Sequence, residues 1–279
     1  MKLSIFKDAR YFQIIFQFAF LSYGIWYLHW NAEWWLYSTY IITSLVLQYA
    51  IVFITTPSNK LKPAAVQAWK SALISSFGLC LLLKTNNFYI ALLAATISIL
   101  SKYILKFKGK HIFNPSALGI AATVWLTGQA WISPGQWGSS AVILLGVCSL
   151  GFIVTTRVQK LDVSLTFLGT YAVLLFSRQI IYQGWPLDYF VQSVSTGSLL
   201  LFSFFMITDP KTTPNHPAAR IIWSTLVAAV AFYLTAFKFI NGAPVWVLVL
   251  AQPLVPLLDR IFKAKKFEWQ QPASPQLSF

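Results

Sequence analysis

The stretch Trp35–Ile54, WLYSTYIITSLVLQYAIVFI, holds twenty residues without a single charge. A hydrocarbon core about 30 Å thick is crossed by about 20 helical residues, so this stretch reads as a membrane span. Outward from it, comparable apolar runs lie at Tyr11–Leu28, Ala72–Leu83, Phe88–Tyr103, Ala117–Thr127, Ala141–Thr155, Val163–Ile181, Gly197–Ile207, Ile221–Phe237 and Pro244–Leu258. Of the 279 residues, 57% are hydrophobic and 10% charged, with a mean hydropathy of +0.64, more apolar surface than a soluble core of this size uses. The sequence therefore predicts an all-α integral membrane protein of about ten transmembrane helices in contact with the lipid bilayer.

Basic residues give an independent check, because Lys and Arg are retained in cytoplasmic loops. All of the 21 Lys and Arg except Lys84, Arg178 and Lys238 fall in alternate loops on one face of such a scheme, including Lys60, Lys102, Lys110, Arg157, Lys211 and Lys266. An even number of crossings follows, with both termini cytoplasmic. The net charge of +14 is then matched to the anionic inner leaflet and not to nucleic acid. Tryptophan and tyrosine, among them Trp26, Tyr27, Trp30, Trp34, Trp35, Trp131, Trp137 and Trp185, gather at the opposite ends as an interfacial belt. The N-terminal run reads as a retained first span, since no small-residue cleavage site follows it.

One domain is expected over residues 1–266, with a polar tail from Phe267 to Phe279 too poor in apolar residues to fold by itself. The third and eighth stretches, Ala72–Leu83 and Gly197–Ile207, are short, reaching only about 16 to 18 Å. They hold equivalent places if the chain is two five-span halves, about 1–138 and 139–266. An odd number of spans per half inverts the second half. Short segments at matching positions point to a site at the repeat interface.

Cys80 and Cys148 stand alone in apolar surroundings and read as small buried hydrophobes. His29, His111 and His216 are scattered over three loops, so neither a metal site nor catalytic residues are expected. No phosphate-cradling glycine loop or nucleophile elbow occurs, which excludes an ATPase or hydrolase of those kinds. Two basic-face loops stand out: Lys108-Gly109-Lys110-His111-Ile112-Phe113-Asn114-Pro115-Ser116 and Thr208-Asp209-Pro210-Lys211-Thr212-Thr213-Pro214-Asn215. Asn114 before Pro115, and Asp209 before Pro210, suit an N-cap followed by proline at the first helical position. Beyond capping, two helix N-termini with Lys110 and Lys211 beside them would offer N–H groups and positive potential to an anionic or electron-rich ligand. Asp209 sharpens that reading, because an acid beside a span usually has a partner. The candidate ligand-binding residues are thus Lys110, Asn114, Pro115, Thr208, Asp209 and Lys211.

These same residues carry a resemblance. The run Lys102–Gly119, the stretch GSLLLFSFFMITDP from Gly197 to Pro210, and Val255-Pro256-Leu257-Leu258-Asp259 resemble the D subunit of the Rnf electron-transport complex and, equally, the B subunit of the sodium-pumping NADH:quinone oxidoreductase. The resemblance spans Lys102 to Lys265. It implies a ten-helix inverted-repeat fold like that of urea transporters, a flavin-bearing subunit of the bacterial inner membrane, and electron flow coupled to ion movement alongside other redox subunits. Members with covalent FMN carry a Ser-Gly-Ala-Thr-like motif in a long outer loop after the fifth span. Here that loop is only Gly128–Gly138 and has no threonine, so covalent FMN is not expected. Thr196-Gly197 lacks the Gly-Ala-Thr order of a second patch, and Pro214-Asn215-His216-Pro217 replaces the family's Thr-Asn-Arg-Gly. The compact loop with Ser133-Pro134-Gly135-Gln136-Trp137 is similar to the short UnbU-type branch, described as enediyne biosynthesis proteins. Three readings follow: a redox-linked subunit using a noncovalent flavin or quinone near Asn114 and Asp209, a flavin-free transporter or channel for a small solute, and an assembly subunit.

Overall fold

A computed structural model describes residues 8–133 and 141–267. The Phe267–Phe279 tail, apart from its first residue, and residues 134–138 of the outer loop, Trp137 included, lie outside the described residues. Eight helices precede the bent centre of the second half: α1 (Ala9–Trp26), α2 (Trp34–Thr55), α3 (Ser58–Leu82), α4 (Phe88–Ile104), α5 (Pro115–Thr127), α6 (Ala141–Arg157), α7 (Leu161–Phe176) and α8 (Leu187–Val194). A π-helical turn, Ser177–Tyr182, continues α7. Then come α9 (Gly197–Leu201), extended by the π-helical turn Phe202–Met206, and α10 (Pro217–Lys238), α11 (Ala243–Ala251) and α12 (Val255–Ile261). Among the described residues five helical rods, starting at Trp34, Ser58, Leu161, Pro217 and Ala243, are long and apolar enough to cross a membrane. The pair α8 and α9 with its π turn, bent by 45°, makes a sixth candidate, while α4 and α5 are shorter at 17 and 13 residues. This is a multi-pass helical membrane protein.

Local chemistry starts and stops these helices. The side chains of Asp8, Asn87 and Asn114 accept from Arg10 N, Tyr89 N and Ala117 N, each satisfying a donor that lipid cannot. Helix α5 ends on Gly128 at φ +60°, a left-handed cap that a Cβ would strain. Along α2 the buried stripe is Leu36, Tyr40, Ser44, Gln48 and Val52, whereas Ile42, Val46, Phe53 and Ile54 are exposed. The face toward the protein is thus the more polar one, the arrangement lipid favours, since its tails accept apolar side chains without cost.

In the first half α1 packs on α3, α2 on α3 and α4, and α4 on α5. In the second, α6 packs on α9 and its π turn, α7 on α10, and α10 on α11. The halves meet through α11 on α5 and through an edge-to-face contact of Phe20 with Phe205, centroids 5.9 Å apart. Opposite the basic face, β1 (Leu83–Thr85) pairs antiparallel with β4 (Ala130–Ile132), tying the end of α3 to the end of α5. On the basic face, β2 (Lys106–Phe107) and β3 (Lys110–His111) form a hairpin whose turn residues, Lys108 and Gly109, both have positive φ, as a tight two-residue turn requires.

Several sequence expectations change here. The third stretch is short only in its apolar part, because α3 runs for 25 residues and its first turns, with Asn59, Lys60 and Lys62, are polar. Lys84, which the sequence set at the end opposite the basic face, is buried, its Nζ donating to the Tyr37 phenol oxygen at 3.1 Å. Lys70, Lys102 and Lys160 are 3–4% exposed and bond to protein oxygens, so they do not face lipid headgroups. Trp30 packs in the notch left by Gly24, where an added Cβ would meet its ring at 2.6 Å.

Candidate functional site

A cavity of about 340 Å³ opens among α1, α2, α3, the α4–α5 hairpin, α6 and the π turn after α9. Arg10, Gln13 and Gln17 line it along one face of α1. Ser71, Ile74, Ser75, Gly78 and Leu82 do so along α3. From Ser71 to Leu82 a helix rises about 16 Å, so the cavity runs deep into the bundle along α3. Its outer part is lined by Arg10, Lys102, Lys106, His111, Asp209 and Lys211. Its inner wall is Leu201, Phe204, Phe205 and Met206.

Five of the six residues singled out in the sequence meet here, and they do so in different roles. Asn114 and Pro115 line the cavity, but the Asn114 side chain is engaged structurally. Its Oδ1 accepts from Ala117 N and Ser116 Oγ, and its Nδ2 donates to Met206 O at 3.1 Å. Asn114 N donates to Gln252 Oε1 at 3.0 Å, so one residue bolts α5 to both the π turn and the α11–α12 junction. Thr208 bonds back to Phe204 O. Asp209 caps no helix: its Oδ1 accepts from Lys211 N at 3.0 Å and its carbonyl from Thr212 N and Thr213 N, closing a turn. The reason is that Pro214 interrupts the chain before a helix can begin. The helix cap falls instead to His216, whose Nδ1 accepts from Ala218 N ahead of Pro217.

Lys110 is the sixth, and it lies behind the cavity. Its Nζ donates to Thr213 O at 2.6 Å and pairs with Asp259 Oδ2 at 3.0 Å, while Asp259 Oδ1 accepts from Asn215 N at 2.8 Å. Lys160 Nζ donates to Pro214 O at 2.9 Å. Two lysines thus clamp the Asp209–Asn215 loop against the cavity. Burial lowers the Lys110 pKa, opposed by Asp259, and lowers that of Lys211, opposed by Asp209. Burial pushes His111 down to about 4, reinforced by Lys211, Lys102 and Lys106 and opposed by Asp209, so the imidazole is neutral at physiological pH.

Sequence reasoning missed Gln17, Gln48, Ser71, Lys102 and Tyr103. The signal was present as amides and a lysine inside apolar stretches, where polar groups cost free energy unless they face an interior. Gln17 and Gln48, each 5% exposed, leave Oε1 without a partner among the described residues, as His111 does its Nδ1. Among those residues no group of three His, Cys, Asp or Glu could hold a metal.

Fold and cavity together define a polytopic membrane protein with a ligand-sized chamber entered from its basic side. The profile of the NQR2, RnfD, RnfE family matches residues 123–268, and the chain belongs to that family. It is similar to proteins described as the D subunit of an ion-translocating oxidoreductase complex. That of Stutzerimonas stutzeri is 26% identical over 165 residues, 56% of this chain and 46% of the relative. That of Vibrio atlanticus is 22% identical over 143 residues, 51% and 38%, and that of Cronobacter sakazakii 25% over 154 residues, 54% and 41%. The match therefore spans less than half the length of these curated relatives.

Proposed function

We propose that the chain is the membrane-embedded subunit of an electron-transport and ion-translocation system in the bacterial inner membrane. It would act beside other redox subunits and hold a noncovalent flavin or quinone in the cavity. The single observation that carries the ligand site is the chamber itself. It combines ligand-sized volume, a phenylalanine wall, buried amides with free acceptor oxygens and a basic entrance. A bound flavin or quinone would supply reversible electron storage there. The protein's own part is to exclude water with Phe204 and Phe205 and to fix the ring edge through Gln17 and Gln48. Covalent FMN is not part of this reading, because Gly128–Gly138 has no threonine.

About ten crossings, both termini cytoplasmic and an inverted five-plus-five repeat belong to the same proposal. The packing pattern supports it. Counting the helical stretches in order, first on third, second on fourth and fourth on fifth recurs as sixth on eighth, seventh on ninth and ninth on tenth. The absorption spectrum of the protein purified in detergent tests the redox reading. A flavin or quinone band is expected, and the denatured band should show no in-gel flavin fluorescence. A clean protein spectrum removes the redox reading. It would favour a transporter for a small solute, a second reading supported by the cavity's lying between α3 and the α9 π turn, the two segments that were short in the sequence.

A further inference from the structure

The cavity has an imbalance of charge. Its lining brings four cationic side chains to one carboxylate, and Asp8 already engages Arg10 through two hydrogen bonds from Nε and one from Nη2. Lys102 is 4% exposed, and among the described residues its Nζ donates only to Ser71 O at 2.8 Å and Ser71 Oγ at 3.1 Å, both neutral, leaving a third donor. Among the described residues nothing accepts from Lys211 Nζ. Cations gathered in a partly dry chamber repel one another and lose hydration, and an anion relieves both costs. Retention of positive charge on the basic face explains an exposed lysine such as Lys106, but not one buried like Lys102. The helix N-terminus does not do this work, since Asn114 occupies the Ala117 donor and Pro115 has none.

We propose that the cavity binds a ligand carrying a phosphate monoester, with Lys102 and Lys211 on the anion at the entrance and the ligand's apolar or aromatic body against Phe204 and Phe205. This rests on the cavity being the ligand site and names the chemistry that the site selects. A neutral quinone would leave the cations unpaired. A phosphate group brings up to two negative charges and three acceptor oxygens. A soluble phosphate ester and a phospholipid with a terminal phosphate share that chemistry, and the test separates them.

The full chain in dodecyl maltoside is titrated with FMN and with riboflavin, which differ by one phosphate, and flavin fluorescence quenching is followed. FMN is expected to bind about tenfold or more tightly. That preference should fall below about threefold in Lys102→Gln and in Lys211→Gln, the latter in a loop where folding is least exposed to damage. Equal affinity for the two flavins, or a preference that survives Lys211→Gln, overturns the phosphate site and leaves the flavin reading standing. If neither flavin binds, the flavin reading falls, and the phosphate site is judged on lipid by native mass spectrometry in mixed micelles of phosphatidic acid and phosphatidylcholine. Selective retention of phosphatidic acid by the parent but not by Lys211→Gln makes a lipid headgroup the occupant. No selectivity overturns the proposal.

Discussion

Asp209 brings two separable properties to the cavity, a turn-closing oxygen and a negative charge among Lys102, Lys211 and His111. Asparagine keeps the first and loses the second. Asp209→Ala is expected to lose the bond from Lys211 N, about 0.5–1.5 kcal/mol, and with it folded yield. Asp209→Asn should match the parent in yield but bind FMN more tightly, because the one opposing carboxylate is gone. If Asp209→Asn equals the parent in both measurements, the residue only closes a turn. His111 gives a pH test. Its folded pKa, about 4, lies below the ordinary 6.5, so the unfolded chain takes up the proton first. The contribution is present in full above pH 6.5 and is lost as pH falls toward 4. The thermal unfolding midpoint is expected to drop across that window in the parent and to drop less in His111→Asn; identical pH profiles would refute the assignment.

Elements meet at this site because small residues let them. A Cβ at Gly78 would sit 2.8 Å from both Cβ and Oγ of Ser116, so α3 and α5 approach only because position 78 is bare. Gly78→Ala is expected to force the helices apart at about 1–3 kcal/mol, seen as lower monodisperse yield. Since Gly78 lines the cavity, FMN binding should weaken even in the fraction that folds. Gly78→Ala in a Ser116→Gly background should recover yield. If it does not, the close approach is not the cause. The tight packing was invisible in the sequence, where Gly78 is one glycine in an apolar run. The β2–β3 hairpin was legible in principle from Lys108-Gly109, a two-residue turn signal that was read as open loop.

At the level of the whole chain, the basic residues make the strongest statement about orientation. Reporter fusions at Asn31 and Gly242 are expected to score periplasmic, and one at Lys266 cytoplasmic. A cytoplasmic score at Gly242 would break the scheme of an even number of crossings. The Lys110–Asp259 pair, far apart in sequence, then closes the basic side of the bundle by joining the β2–β3 hairpin to α12.

The sequence by itself determined the multi-pass helical membrane character, the family and the two loops around Asn114 and Asp209. Each of these rests on local composition, which lipid reads directly: uninterrupted apolar length makes a span, and Asn before Pro makes a cap. Tertiary structure decided which face of each helix points inward, that Asn114 acts as a bolt and Lys110 as a clamp, and that Gln17, Gln48 and Lys102 share one chamber. The physical reason is that lipid accepts any apolar face equally well. The inward face of a span is therefore set by its few polar side chains finding partners on other helices, and which partners those are depends on contacts between residues far apart in the chain.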